Sequence, residues 1–356
     1  MIRIVKRAEL PKNREWVIRA GAVFSSVIFA GIVIAILGVD PVKAFTQIVN
    51  GSIGSQMRLI QTVLKAVPLT ITSMGILVAF KMKFWNIGGE GQIMMGAMGA
   101  AYIALHLPET LPMAVMLAMM ALAAMFCGGV WAFIPAFFKA RFKTNETIFT
   151  LMMNYIAIKW VTYLQFDVWK DAGSAGFPRV APFPANAVLP RLFGVHIGWL
   201  IAVCAVIIIY VFINHTKKGY EITVLGESME TARYAGMNIK YIMVAAMMVS
   251  GGLCGLTGMV QASGIEKTLT YSLSANFGFT AIITTWLGRL SAPAIAVVCF
   301  VFAMLIQGGT YLQIALSIPS SVAEMIQGII LFFVLGSEFF IQYRTVFRGP
   351  AKKGVA

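Results

Sequence analysis

Residues 80–99 read FKMKFWNIGGEGQIMMGAMG, a stretch that places two lysines, an acid, two amides and three closely spaced glycines between apolar runs. A charged side chain at bilayer depth costs about 2.5–3.5 kcal/mol on insertion scales, so Glu90 is not expected to face lipid. Irregular backbone at that depth is tolerated only where protein or a water-filled cavity surrounds it. The stretch therefore predicts a break between two membrane helices, enclosed by the rest of the protein.

The glycines of this break, Gly88, Gly89 and Gly91, allow positive φ angles and close approach of the backbone. The polar side chains around them then either satisfy the exposed backbone or face a polar solute. A plainer alternative is a cytoplasmic link whose acid stabilises the N-terminal dipole of the next helix. The residues concerned are Asn86, Glu90 and Gln92.

The composition points to a membrane protein. Of the 356 residues, 59% are hydrophobic and only 12% are charged, whereas about 25% of the residues of a soluble domain are charged. Apolar runs of about 20 residues, long enough to cross a bilayer, recur along the chain. We therefore predict an all-α, multi-pass protein of the inner (cytoplasmic) membrane with about ten transmembrane helices.

The distribution of basic residues orients these spans. Most of the 28 Lys and Arg residues gather in short clusters between apolar runs, as expected of cytoplasmic loops, which places both termini in the cytoplasm. Residues 1–16 then form a cytoplasmic N-terminal segment, 17–342 the polytopic transmembrane domain with a cytoplasmic loop at 215–240, and 343–356 a cytoplasmic tail. The predicted spans are 17–39, 60–80, 92–107, 112–138, 148–166, 197–214, 241–263, 276–288, 292–309 and 320–342.

A second interrupted segment lies in the other half of the chain, where residues 276–293 contain Gly278, Gly288 and Pro293. Paired interruptions in the two halves are typical of transporters built from inverted repeats, with the solute path where the broken helices meet. We therefore expect two inverted repeats. The external loop at 166–196 is either a tether between helices or a docking surface for an extracellular partner.

Several kinds of chemistry are missing from the sequence. It contains no Gly-rich phosphate loop, no His-Glu-x-x-His and no Gly-x-Ser-x-Gly motif, so we expect neither an enzyme nor a bound cofactor. The four cysteines lie inside apolar runs at spacings that match no metal site or disulfide framework. The net charge of +14 follows the membrane loops, which argues against a nucleic-acid partner.

Four blocks in order resemble the membrane permease subunits of ABC importers, in the branch that includes branched-chain amino acid and ribose permeases. The chain is most similar to nucleoside (simple-sugar) permeases. It departs from the pattern at Trp85, inserted between Phe and Asn, and at Ile283, where the family commonly has Ala. The blocks are FWNIGGEGQIMMGA (84–97), KARFKTNETIFTLMMNYIA (139–157), GYEITVLGESMETARYAGMNIKY (219–241) and NFGFTAIITTWLGRLSAPAIA (276–296).

The resemblance implies a type II-like importer permease fold and a division of labour among subunits. An extracellular or periplasmic binding protein delivers a nucleoside or sugar, this chain and a homologous second permease form the path through the membrane lipid, and ATP is bound by a partner ATPase subunit. The alternative is an ion-driven secondary transporter of a small polar solute, which needs intramembrane ionisable groups or carbonyl sites at broken helices.

Two sets of residues are the candidate sites. Ser228 as N-cap and Gly236 as C′ residue predict a helix over 229–235, which offers a small apolar face at Met229, Ala232 and Ala235 to the ATPase. The coupling set is Glu227, Ser228, Met229, Glu230, Ala232, Arg233, Tyr234, Ala235 and Gly236. For solute contact, amides bond polar edges and aromatic rings stack on a base or pack as anchors. That set is Phe84, Trp85, Asn86, Glu90, Gln92, Asn154 and Phe279.

Overall fold

A computed structural model describes residues 2–6, 11–36, 38–174, 176, 178–316 and 343–347, together with scattered positions between 319 and 341. The chain is mostly helical. It divides into two compact units, of which the first comprises Met1–Arg58 with Met304–Ala356 and the second Leu59–Ala303.

The first unit holds two elements that the sequence analysis did not predict. One is the helix that follows the first apolar helix, for which Asp40 accepts the backbone N–H of Val42 at 2.9 Å. The other is an antiparallel strand pair that joins the two ends of the chain. Arg58 donates a hydrogen bond to the Tyr311 hydroxyl at 2.8 Å. The complete elements are β1 (Ile2–Lys6), α1 (Lys12–Ile36), α2 (Pro41–Ile53) and β4 (Tyr343–Phe347).

The second unit is a helical bundle that begins within α3 and ends within α12. Short π-helical turns extend α6 and α10, and a two-residue strand pair closes a hairpin before α7. The helices are α3 (Gln56–Lys81), α4 (Gly89–His106), α5 (Met113–Phe142), α6 (Glu146–Tyr163), α7 (Gly198–His215), α8 (Lys217–Glu227), α9 (Met229–Tyr234), α10 (Ile239–Gln261), α11 (Phe277–Leu287) and α12 (Ala292–Leu316). The turns are Leu164–Val168, Ala185–Ala187 and Ala262–Glu266, and the strands are β2 (Arg191–Leu192) and β3 (Val195–His196).

Five helices among the described residues are long and apolar enough to cross a membrane, namely α3, α5, α7, α10 with its π-helical extension, and α12. The number rises to six if the bent pair of helices at 20–36 and 41–53 forms one broken span. The chain is thus a multi-pass membrane protein. The count of ten spans and the inverted repeats are not confirmed, and most of the predicted tenth segment, 320–342, lies outside the described residues.

Close packing of α4, α5 and α10 forms the centre of the second unit. A Cβ added to Gly96 would collide with the backbone of Gly255, and one added to Gly128 would collide with the carbonyl oxygen of Gly251. Small residues let helices approach at backbone distance, which favours association where no hydrophobic effect acts between them. Small residues recur three or four positions apart in these helices, at Gly96, Gly99 and Ala100 of α4 and at Gly251 and Gly255 of α10.

The long loop between α6 and α7 is fixed by hydrogen bonds to the segment that follows α10. The N–H of Phe183 donates to the carbonyl of Lys267 at 2.8 Å, and the N–H of Leu189 donates to the carbonyl of Ser263 at 3.2 Å. The Thr268 hydroxyl adds a bond to the carbonyl of Val180 at 2.9 Å. The loop is therefore ordered against this end of the unit.

The opposite end carries the basic residues of the 82–88, 139–146 and 217–240 segments, and we refer to it as the basic end.

Candidate functional site

The predicted break lies between α3, which ends at Lys81, and α4, which begins at Gly89. The connecting residues are not helical: Lys83 adopts a φ of 55°, and the N–H of Phe84 bonds back to the carbonyl of Ala79 at 3.1 Å. Most of the residues from 84 to 95 are buried within the protein. The break is therefore enclosed by the rest of the bundle, as the sequence predicts.

Two amides from the break pair with each other. Asn86 donates to Gln92 Oε1 at 3.2 Å, and Gln92 donates back to Asn86 Oδ1 at 3.1 Å. Asn86 also donates to the Ser250 hydroxyl of α10 at 3.2 Å and accepts the N–H of Gly88 at 3.0 Å. Both amide side chains are buried, with exposures of 0% for Asn86 and 1% for Gln92. Their polar atoms are thus used to hold the break.

A third amide, Asn154 of α6, bonds the backbone of the break on two sides. Its Nδ2 donates to the carbonyl of Ile87 and its Oδ1 accepts the N–H of Gly91, each at 2.8 Å. The Thr150 hydroxyl, one turn earlier on α6, accepts the N–H of Ile87 at 3.2 Å. Buried backbone groups without partners cost free energy comparable to a lost hydrogen bond. These two α6 side chains therefore satisfy backbone groups of the break and of the first turn of α4.

Glu90 links the two interrupted segments. Its Oε1 accepts the N–H of Gly278 at 3.1 Å, whereas its Oε2 has no hydrogen-bond partner among the described residues. The side chain lies in the first turn of α4 and reaches the first turn of α11, and it is 1% exposed. Because a helix N-terminus favours negative charge, two helix dipoles stabilise one carboxylate here.

The glycines of the break act through size and not through backbone conformation. The positive φ angles that glycine allows are not used here: Gly88 has a φ of −77°, and the positive-φ glycines of the described chain lie elsewhere. A Cβ on Gly91 would lie 3.0 Å from the Asn154 Cα. One on Gly278 would collide with the Glu90 amide nitrogen. Close approach of the two helix ends is what requires glycine.

The aromatic candidates differ in their surroundings. Phe84 is buried, whereas Trp85 is 45% and Phe279 37% exposed. Trp85 stacks on Trp286 of α11 with ring centroids 5.5 Å apart, and the Phe80 ring lies 5.6 Å from Trp85 and 5.7 Å from Trp286. Sequence reasoning missed Trp286 and Ser250, whose only signal was a polar or aromatic side chain inside an apolar run. The stretch from 80 to 92 thus holds α11 at both of its ends.

The predicted coupling helix is present as α9, which ends one residue earlier than expected. The Ser228 hydroxyl accepts the N–H of Thr231 at 3.2 Å as N-cap, and Gly236 has a φ of +73°. Ala232, however, is fully buried, so the predicted apolar face does not lie on the surface as a whole. Helical spacing shows which residues share one face of a helix, but it does not show whether that face points to solvent or into the protein. The exposed side chains of α9 include Tyr234, at 93%.

The end of α8 lies directly on the end of α3. A Cβ added to Gly226 would collide with the carbonyl oxygen of Lys81, so only glycine permits this contact. A cavity of about 290 Å³ next to it is lined by Phe84 of the break and by Glu227 and Met229 of the predicted coupling set. The α8–α9 segment therefore contacts the broken link.

Comparison with known proteins gives the family. The model described as branched-chain amino acid transport system / permease component matches residues 58–335. A glucose ABC transporter permease protein of Haloferax volcanii is 32% identical over 336 residues, covering 91% of this chain and 88% of the relative. A guanosine ABC transporter permease protein of Bacillus subtilis is 26% identical over 89% of this chain and 92% of its own length.

A nucleoside ABC transporter permease protein of Lactococcus lactis is 26% identical over 91% of both chains. No solved structure shows a significant match. The family match and the full-length relatives confirm the resemblance carried by the four sequence blocks. This chain belongs to the branched-chain amino acid transport system permease family and is an ABC transporter permease subunit, not itself an enzyme.

Proposed function

We propose that this chain is one permease subunit of an ATP-driven importer for nucleosides or related simple sugars. The names of its relatives, which are glucose, guanosine and nucleoside permeases, support this substrate class. The observation that carries the mechanism is the buried junction of α4 and α11, where Glu90 accepts the N–H of Gly278. Broken helices that meet inside a bundle are where transporters of several folds place the solute path.

In this proposal the polar and aromatic residues have separate roles. Asn86, Gln92 and Asn154 hold the break together, because their amide groups bond each other and the local backbone. Trp85 and Phe279 are partly exposed and offer ring faces to a nucleoside base or the apolar face of a sugar. The Glu90 carboxylate at this junction is 1% exposed, so the side chains proposed to face the solute are uncharged, which suits a neutral, hydroxyl-rich solute.

Coupling enters at the basic end. An ATPase subunit binds ATP and contacts the exposed side of α9, and its movement reaches the break through the contact of Gly226 with Lys81. The stretch from 80 to 92 contacts both ends of α11, so a shift of this stretch would also move α11. That movement would open the solute path alternately to the outside and to the cytoplasm. A homologous second permease and an external solute-binding protein complete the importer.

The proposed orientation places the basic end and both termini in the cytoplasm of the cell that carries this inner-membrane protein. Single cysteines at Ser174, in the loop before α7, and at Ser291, in the link before α12, test it. A membrane-impermeant maleimide applied to whole cells should label S174C above the background of the native cysteines and leave S291C unlabelled. Labelling from the same side contradicts this orientation.

The function can be tested by measuring solute uptake in a strain that lacks the gene, with and without a restored copy of the gene. We expect restored uptake of labelled guanosine, uridine, ribose or glucose, with loss of uptake when the ATPase subunit carries an inactivated nucleotide site. A protonophore should leave uptake unchanged at constant ATP. Uptake that follows the ion gradient and ignores the ATPase would instead identify the ion-driven secondary transporter.

A further inference from the structure

A second cavity, of about 580 Å³, opens at the basic end beside α9. Its walls come from the C-terminal end of α5, from α9 and from the start of α10. The lining residues combine four cations with several methionines, and none of them is Asp or Glu. The four cations are Lys139, Lys143, Arg233 and Lys240.

The charge in this cavity is largely uncompensated. Lys139 is paired with Glu146 at 2.6 Å, but Lys143, Arg233 and Lys240 form no ion pair with any other part of the described chain. These three cations line one cavity from three different elements. An anion held between them would make contacts that the protein itself does not supply.

The N-terminus of α10 adds to this positive field. Asn238 caps the helix by accepting the N–H of Tyr241 at 3.2 Å, while Ile239 and Lys240 occupy the first helical positions and line the cavity. The first N–H groups of a helix have no acceptor within the helix. A helix of 23 residues therefore turns its positive end toward a cavity that already holds several cations.

The position and lining of the cavity identify the kind of anion. It lies at the ends of two membrane-spanning helices, because Lys143 directly follows Met113–Phe142, Ile239 begins Ile239–Glu266, and both residues line the cavity. Lipid headgroups occupy this level of a membrane. Methionines line the remaining wall, and the rings of Phe138 and Phe142 are exposed on the last turns of α5. Such a site accepts a charged headgroup together with the first part of an acyl chain.

We propose that this cavity binds the phosphate of an anionic phospholipid headgroup between Lys143, Arg233 and Lys240. Basic pockets between membrane helices are sites of this kind. Because α9 contributes Met229 and Arg233 to the wall, a bound headgroup would fix α9 against the end of α5. This assignment does not depend on which solute the protein transports.

Native mass spectrometry of the full-length protein, in detergent with added phosphatidylglycerol or phosphatidylcholine, tests the site. The double variant K143Q/K240Q removes two cavity cations and leaves Arg233 in place. The matched control R141Q/K217Q removes the same charge from two exposed residues, one in the last turn of α5 and one at the start of α8, neither of which lines the cavity. With about 1 kcal/mol for each basic residue near an anionic lipid, the double variant should bind phosphatidylglycerol on the order of thirtyfold more weakly.

The wild type and the control should prefer phosphatidylglycerol over phosphatidylcholine, and salt should weaken that preference. The proposal would be overturned if the wild type bound the two lipids equally, or if both double variants lost phosphatidylglycerol binding to the same extent. Competition by glycerol phosphate at the concentration of the lipid would also overturn it, since the ligand would then be a free phosphate. Displacement of the lipid by an added ATPase subunit would assign the cavity to a protein interface and also reject it.

Discussion

Glu90 and Gly278 are 188 positions apart in the chain, and the Gly278 N–H donates to Glu90 Oε1 at 3.1 Å. This bond joins the first turn of α4 to the first turn of α11. Both residues are needed for it, because the carboxylate reaches α11 only while no Cβ on residue 278 separates the two backbones. The interrupted segment in the first half of the chain and the one in the second half are therefore in direct contact.

Replacement of Glu90 should weaken this junction. In Glu90→Ala the N–H of Gly278 loses its buried acceptor, which costs about 1–3 kcal/mol. In Glu90→Gln the amide oxygen still accepts this N–H, so we expect a smaller loss of stability. Thermal unfolding in detergent should follow the order wild type, Glu90→Gln, Glu90→Ala, and the uptake rate should fall in the same order.

Glu109→Ala is the control for Glu90→Ala, because it deletes an exposed carboxylate at the other end of α4. It should leave the unfolding temperature within about 1 °C of the wild type, since surface substitutions seldom change stability by more than about 0.5 kcal/mol. A Glu90→Ala protein as stable and as active as this control would show that the bond to Gly278 is dispensable.

The break could be predicted from sequence because its signals are local. An acid and glycines within an apolar run, near Glu90, are incompatible with a helix facing lipid. The contact with Gly278 could not be predicted, because spacing along a chain does not tell which distant segment supplies the partner. Ala232 shows the same limit on a smaller scale: its helix was predicted correctly, but its direction depends on tertiary packing. The helix α2, in contrast, had a local signal that was missed, with Asp40 before Pro41 as N-cap and N1 residues.

Replacement by alanine should have different effects on stability at two glycines of α10. A Cβ on Gly255 would collide with the carbonyl oxygen of Ala124 in α5, whereas one on Gly252 would meet its nearest atom, the carbonyl oxygen of Met125, at 3.4 Å. We expect Gly255→Ala to lose about 1–3 kcal/mol through overpacking. Gly252→Ala should be neutral or gain up to about 1 kcal/mol through helix propensity. Comparable unfolding temperatures for the two variants would contradict the close crossing of α5 and α10.

The stability of the protein should depend on pH through His196. Burial, and then the charge of Arg191, lowers the pKa of this histidine from 6.5 to about 4. Its Nδ1 accepts the N–H of Gly198 at 3.1 Å, which requires an unprotonated Nδ1. Between the two pKa values the unfolded chain binds a proton that the folded chain does not. Stability should therefore fall as the pH decreases from about 6.5 to about 4.

Unfolding temperatures of the wild type and of His196→Gln across this pH range measure the effect. The wild type should lose several degrees more than His196→Gln, because the variant has no proton to bind at this position. His106→Gln, which changes an exposed histidine, should keep the wild-type dependence. Parallel curves for the wild type and His196→Gln would exclude His196 as the source.

The exposed side of α9 should carry the contact with the ATPase, and Tyr234 is its most accessible large side chain. Aromatic residues are frequent among the few interface residues that contribute most of the binding free energy. Tyr234→Ala should therefore weaken ATPase association on the order of tenfold and lower solute-stimulated ATP hydrolysis. The unfolding temperature of the permease alone should not change, because Tyr234 packs on little within the chain.

Two further variants separate docking from folding. Tyr220→Ala removes an equally large ring that is 63% exposed on α8, outside the predicted coupling set, and should leave hydrolysis unchanged. Ala232→Glu places a carboxylate at a fully buried position, so it should lower the unfolding temperature of the isolated permease as well. If Tyr220→Ala and Tyr234→Ala reduce hydrolysis equally, the contact is not specific to α9. If Tyr234→Ala keeps wild-type association and hydrolysis, the ATPase does not dock on the exposed side of α9, and the movement must enter the bundle elsewhere.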